Sequence, residues 1–179
     1  LAYLLIEDLK SGTTDVIDET KAAEYLLDTA IDGKYLHKGY GALALGLVVR
    51  QISEDLEVEA YQEFREKALK AIRDGIGSKK MDKKTQAAFC TAAGIAKDRR
   101  SREALVEIVS DESGDKMLRS YAALGLGLIG DSHGGVTKAI ATALQERSSE
   151  ALRREAATAL GLLGNPKISG TNKDAVALL

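Results

Sequence analysis

The 179-residue chain is 45% hydrophobic and 29% charged, which excludes a disordered class and gives enough apolar surface for a substantial core. Its net charge is −2, and a single cysteine, Cys90, excludes an intramolecular disulfide framework. With no tryptophan, two phenylalanines and one proline, Pro166, the core must be built from Leu, Ile, Val and Ala in long stretches that nothing interrupts, an all-helical expectation.

In chain order, apolar residues recur at helical spacing in a series of segments. The spacing predicts a short helix near Leu1 to Leu9, a break at Ser11-Gly12-Thr13-Thr14, and an amphipathic helix from Lys21 to Ile31 ended by Gly33. A helix from about Tyr35 to Gln51 follows, and Ser53-Glu54-Asp55 is read as the start of a long one running to Asp74, closed by Gly75 and Gly77. Three tighter pairs come next. Asp82 to Lys97 goes with Ser101 to Ser110, Asp115 to Ile129 with Val136 to Arg147, and Ser149 to Leu163 with Asn172 to Leu179. Ser149 with Glu150 behind it makes an N-cap, and Gly164-Asn165-Pro166 a stop.

One line is written twice, 34 residues apart: Leu118-Arg119-Ser120-Tyr121-Ala122-Ala123-Leu124-Gly125-Leu126-Gly127-Leu128-Ile129-Gly130-Asp131 returns from Leu152 to Asn165. A fixed period of this size marks stacked helical units, each burying its apolar face against its neighbours. Aligning the units puts Gly46, Gly94, Gly127 and Gly161 in one register, at intervals of 48, 33 and 34 residues. Four helical glycines, each about 1 kcal/mol worse than alanine, call for a compensating close approach between neighbours.

The twice-written line, with its Leu-Arg opening, Ala-Ala step and Leu-Gly-Leu-Ile-Gly-Asp exit, resembles the HEAT repeat, especially the short phycobilisome-lyase-like type, from about Gln86 to Leu179. The proteasome/cyclosome repeat, with similar Leu-Gly-Leu-Gly helices, is the runner-up. The Gly-Asp exit persists as Gly130-Asp131, becomes Gly164-Asn165, and is lost as Lys97-Asp98 and Val49-Arg50. The resemblance implies an all-α, HEAT/armadillo-like α-solenoid: a right-handed superhelix of antiparallel hairpins whose second helices line a concave face. Residues 1–78 would be divergent repeats and 79–179 regular ones. Both ends fall inside apolar stretches, so a single module cut from a longer protein is expected.

No constellation outweighs that reading. Gly125-Leu126-Gly127-Leu128-Ile129-Gly130 spells a dinucleotide fingerprint, but the glycines fall at the end of a helix instead of between a strand and a helix start. His37 and His133 are separated by 95 residues, which supplies no local metal-ligand motif, and Cys90 reads as a packed thiol. No nucleophile, base and orienting group stand together, so neither enzyme activity, cofactor, metal nor small-molecule substrate is expected. No apolar run reaches the roughly 18–20 residues of a membrane span and none reads as a signal peptide, which leads to the expectation of a soluble protein.

Charge is uneven. Residues 1–78 carry 9 basic and 15 acidic side chains, 79–102 carry 8 and 2, and 103–179 carry 8 and 10. The middle excess forms two clusters, Lys79, Lys80, Lys83, Lys84 and Lys97, Arg99, Arg100, Arg102, at opposite ends of one helix and so about 20 Å apart. A nucleic-acid surface needs a continuous basic stripe with stacking rings, so nucleic acid is disfavoured.

The leading expectation is a non-catalytic scaffold that binds a protein or peptide along its second helices. The polar positions left there are Glu63, Lys67, Lys70, Glu103, Glu107, Lys138, Thr142 and Gln145. Two alternatives come from other classes. One is a HEAT-like enzyme or accessory of bilin-lyase or DNA-glycosylase kind, and the other a purely architectural spacer in a larger chain.

Overall fold

The computed structural model describes residues 19–34, 36–55, 60–133 and 135–164. These residues hold eight α-helices and no strand: α1 (Glu19–Asp32), α2 (Leu36–Asp55), α3 (Ala60–Ile76), α4 (Lys83–Ile95), α5 (Arg102–Ser110), α6 (Lys116–Ile129), α7 (Val136–Leu144) and α8 (Glu150–Gly164). A single 3₁₀ turn, Arg99–Ser101, precedes α5. The all-α class is therefore as expected. The segments expected near Leu1 to Leu9 and Asn172 to Leu179 lie outside the described residues.

The helices form two layers. In one, α2, α4, α6 and α8 pack each against the next; in the other, α1 meets α3 and α5 meets α7. The core between them is Leu, Ile, Val and Ala with a single phenylalanine, Phe89, and it includes the buried Cys90.

The aligned glycines mark the seams of the first layer. A Cβ on Gly46 would stand 2.8 Å from the Ala92 carbonyl oxygen, one on Gly94 2.8 Å from the Gly125 Cα, and one on Gly127 2.5 Å from the Ala159 Cα. In each case the contact falls on the residue two before the next unit's own register glycine. Gly161 breaks the series, because nothing lies within 4 Å of its added Cβ. Among the described residues no later first-layer helix follows α8, so the fourth seam expected from the sequence lies outside them.

Three further positions repeat with the glycine. Twelve residues before it stands the N-cap: Asp82 accepts from the Thr85 N–H at 2.9 Å, Asp115 from Leu118 at 2.8 Å and Ser149 from Leu152 at 3.2 Å. Eight residues before it stands a side chain that reaches back to the end of the preceding second-layer helix or, for Arg153, to the loop just after it. Gln86 donates to the Ile76 carbonyl at 2.5 Å, Arg119 Nε to Val109 at 3.0 Å, and Arg153 Nη1 to Glu146 at 2.8 Å and Arg147 at 3.1 Å. The last carbonyls of a helix have no partner within it, so Gln86 and Arg119 satisfy one each in the unit before, and Arg153 bonds the loop that follows. The arginines also place positive charge at the negative end of the helix dipole.

Four residues after the glycine comes an acid. Asp98 accepts from Arg73 at 3.0 Å and Asp131 from Arg102 at 2.8 Å, each arginine lying on the preceding second-layer helix. This acid persists at Asp98 although the glycine before it is replaced. Lys97 takes the left-handed backbone itself, at φ 56°, matching Gly130 at φ 77°. Its N–H bonds to the Gly94 carbonyl and that of Asp98 to Ala93, the double closure of a Schellman turn. The exit read as lost in the sequence is thus kept in geometry.

Two expectations need correction. Ser53-Glu54-Asp55 does not open the third helix; these residues complete α2, and α3 begins at Ala60. Ser and Asp are common on either side of a helix boundary, so they mark the place without fixing the side. The hairpin pairing is also shifted by one helix. α3 packs more on α4 than on α2, α5 more on α6 than on α4, and α7 more on α8 than on α6. The backward-reaching Gln86, Arg119 and Arg153 tie each second-layer helix to its successor.

Candidate partner-binding groove

The eight polar positions singled out in the sequence are all exposed, but the structure gathers only two of them into a concavity. α3 turns Ala68, Leu69, Ile72 and Ile76 inward, which leaves Glu63, Lys67, Lys70 and Asp74 at i, i+4, i+7 and i+11 on its outer face. Glu63 pairs with Lys67 at 2.8 Å and Lys70 with Asp74 at 2.6 Å. The hydrogen bond from Lys67, with its charge, holds the Glu63 carboxyl below its ordinary pKa and raises that of the ammonium. Both pairs are solvent-exposed, where screening leaves them little stabilising value. Their effect is to fix where the lysines stand.

Between α1 and α3 runs a groove of about 480 Å³. Leu27, Ala30 and Ile31 of α1 form one side, Lys67, Lys70, Ala71 and Asp74 of α3 the other, and Met81 and Phe89 the floor. The Phe89 ring reaches this level because Gly75 carries no side chain: a Cβ there would sit 2.2 Å from the ring. With Lys38 at one end, the lining holds three lysines and one carboxylate around an apolar floor. Such a site accepts an apolar side chain and orients the backbone or acid beside it.

Glu103 and Glu107 on α5, Lys138 and Thr142 on α7, and Gln145 at the end of α7 do not line this groove. The Thr142 hydroxyl donates back to the Lys138 carbonyl at 3.0 Å. Sequence reasoning missed the α1 side, Lys38 and Met81. The available signal was Ile31, an apolar residue beside Asp32-Gly33 at a helix end, which stays exposed.

The other constellations resolve into structure. Gly125 and Gly127 are seam residues in the second half of α6, with no strand before them. Burial pushes the Cys90 thiol up to about 12, so no thiolate is available there at neutral pH. His133 is exposed, its N–H and ring both bonded to Asp131 across a turn. Among the described residues no group of three or more His, Cys, Asp or Glu is placed to hold a metal, and no helix is long and apolar enough to cross a membrane. Of the second basic cluster, Arg100 pairs with Glu66 and Arg102 with Asp131. No family model matches the chain, and comparison with characterised proteins finds no match, so the functional reading rests on these residues and their geometry.

Proposed function

We propose that this chain is a non-catalytic helical-repeat scaffold, an α-solenoid of the HEAT kind, that holds a protein or peptide partner on its second-helix layer. The observation that carries the reading is the open α1–α3 groove, which lies on that layer and already contains Lys67 and Lys70. The repeated N-cap, backward-reaching donor, seam and exit acid support the repeat half of it, since every unit is stabilised through its neighbours. In this reading the second helices line the concave side, and a partner segment seats an apolar side chain against Met81 and Phe89 with its acidic flank on the lysines.

The test is capture from an extract of the source cell on the immobilised chain, beside a Lys67→Glu/Lys70→Glu/Ile31→Ser variant. All three side chains are exposed, so the variant should melt within about 2 °C of the parent. Loss of the recovered protein from the variant supports the groove; an unchanged recovered set sinks it. Solution scattering tests the solenoid separately, and a compact spherical profile would remove it.

A further inference from the structure

The opposite, first-helix layer carries apolar side chains on its outward face, where a solvent-facing layer ordinarily carries charge. Tyr40 is 66% exposed, Leu47 49%, Tyr121 42% and Met117 38%. Tyr40, Ala88 and Tyr121 hold the same register on α2, α4 and α6, six residues before Gly46, Gly94 and Gly127. α4 thus presents a methyl group where both neighbours raise a phenol ring. The result is a notch of about 330 Å³ with Ala88 and Thr91 on its floor and Tyr40, Leu43, Met117 and Tyr121 around it.

Its width and its charge both bear on the occupant. Helices joined through close seams stand about 8 Å apart, so the axes of α2 and α6 lie about 16 Å apart and their tyrosines flank a lane in which the apolar stripe of one α-helix can seat over Ala88. Lys84 lines the notch and no carboxylate does. Lys80 and Lys83, close to Lys84 in the chain, are exposed, and the acids Asp82 and Asp115 serve as N-caps. A nucleic-acid strand would need a row of cations tracking its backbone, and the lining supplies one.

We propose that this notch docks an acidic amphipathic helix of a partner protein, its apolar stripe between Tyr40 and Tyr121 and its carboxylates toward Lys84. The surface is separate from the α1–α3 groove and does not depend on it. Two synthetic peptides of about 15 residues, with the same Leu/Ala stripe but glutamate or lysine on the polar face, are labelled and titrated with the full chain by fluorescence anisotropy. The glutamate peptide should bind at least tenfold more tightly than the lysine peptide.

Lys84→Glu should abolish that preference. Tyr121→Ala, and independently Tyr40→Ala on another helix, should each weaken the glutamate peptide about tenfold, while Lys67→Glu/Lys70→Glu leaves it unchanged. Failure of the glutamate peptide to bind, equal binding of both peptides, or indifference to both tyrosine variants overturns the proposal. So does competition by oligo-dT for the same site, which would make it a nucleic-acid surface.

Discussion

Gly127 and Gly161 stand at the same place in a line the chain writes twice, yet one is buried against the next helix and the other has no described residue within 4 Å of an added Cβ. The repeat therefore tells where a neighbour fits, while the packing tells whether one is there. The contrast can be broken directly. Gly127→Leu must drive its Cβ into the Ala159 backbone, with no flexible side chain to move aside. It should cost about 3 kcal/mol, a Tm loss of about 6–12 °C. Gly161→Leu meets no described residue and exchanges a poor helix former for a good one, so it should be neutral or stabilising by up to about 1 kcal/mol. Equal losses in thermal melts of the two variants would show that α8 is covered as α6 is.

The same two lines differ in their arginines. Arg119 is 2% exposed and bonds to Val109, Glu112 and Glu146, whereas Arg153 is half-buried and bonds to two carbonyls at the end of its loop. Arg119→Met strands the buried Val109 carbonyl, while Glu146 keeps its bonds from Ser148, and should cost about 2–3 kcal/mol by urea denaturation. Arg153→Met, whose acceptors water can reach, should cost about 1 kcal/mol or less. A reversed order would mean that the backward-reaching bond is incidental to stability.

Much of the fold could be read from the sequence because its causes are local. Helix class, the Ser149 cap and the seam glycines follow from period, capping chemistry and the cost of mid-helix glycine. What could not be read depends on which surfaces meet. The α1–α3 groove needs Gly75 beneath Phe89 and Ile31 opposite Lys70, residues 14 and 39 apart in the chain. Lys67 and Lys70 were visible as an exposed polar stripe, but Glu103, Lys138 and Gln145 fitted that description equally well and line no part of the groove. The pairing of Arg102 with Asp131 was hidden for the same reason, and the cluster Lys97, Arg99, Arg100, Arg102 looked more available than it is.

That pairing gives a pH-dependent contrast. Burial works against the charged form of Asp131, yet hydrogen bonds from the His133 N–H and ring and from Arg102 more than offset it, and the carboxyl stays below its ordinary pKa. A depressed folded pKa contributes stability above the unfolded value of 3.8 and loses it as pH falls through the folded value. Asp131→Asn should therefore cost about 1 kcal/mol near neutrality, with the gap in Tm closing as the pH is lowered below 3.8. The twin line carries Asn165 at this position, so an acid-insensitive gap would mean that the charge at Asp131 is not what holds Arg102.

The smallest effect tests the two exits, Lys97-Asp98 and Gly130-Asp131, which share a left-handed backbone but not the residue that favours it. A lysine at φ 56° is crowded by its own Cβ, at a cost of about 1 kcal/mol that glycine avoids. Glycine gives part of this back through the freer unfolded chain, leaving an expected gain of about 0.5 kcal/mol for Lys97→Gly. Gly130→Lys reverses the exchange at an equivalent turn and should lose a comparable amount. Both should appear as shifts of the urea midpoint with little change of slope. If Lys97→Gly instead destabilises, contacts of the lysine side chain outweigh the backbone, and the exit at Asp98 is held by Lys97 itself and not by the turn geometry it shares with Gly130.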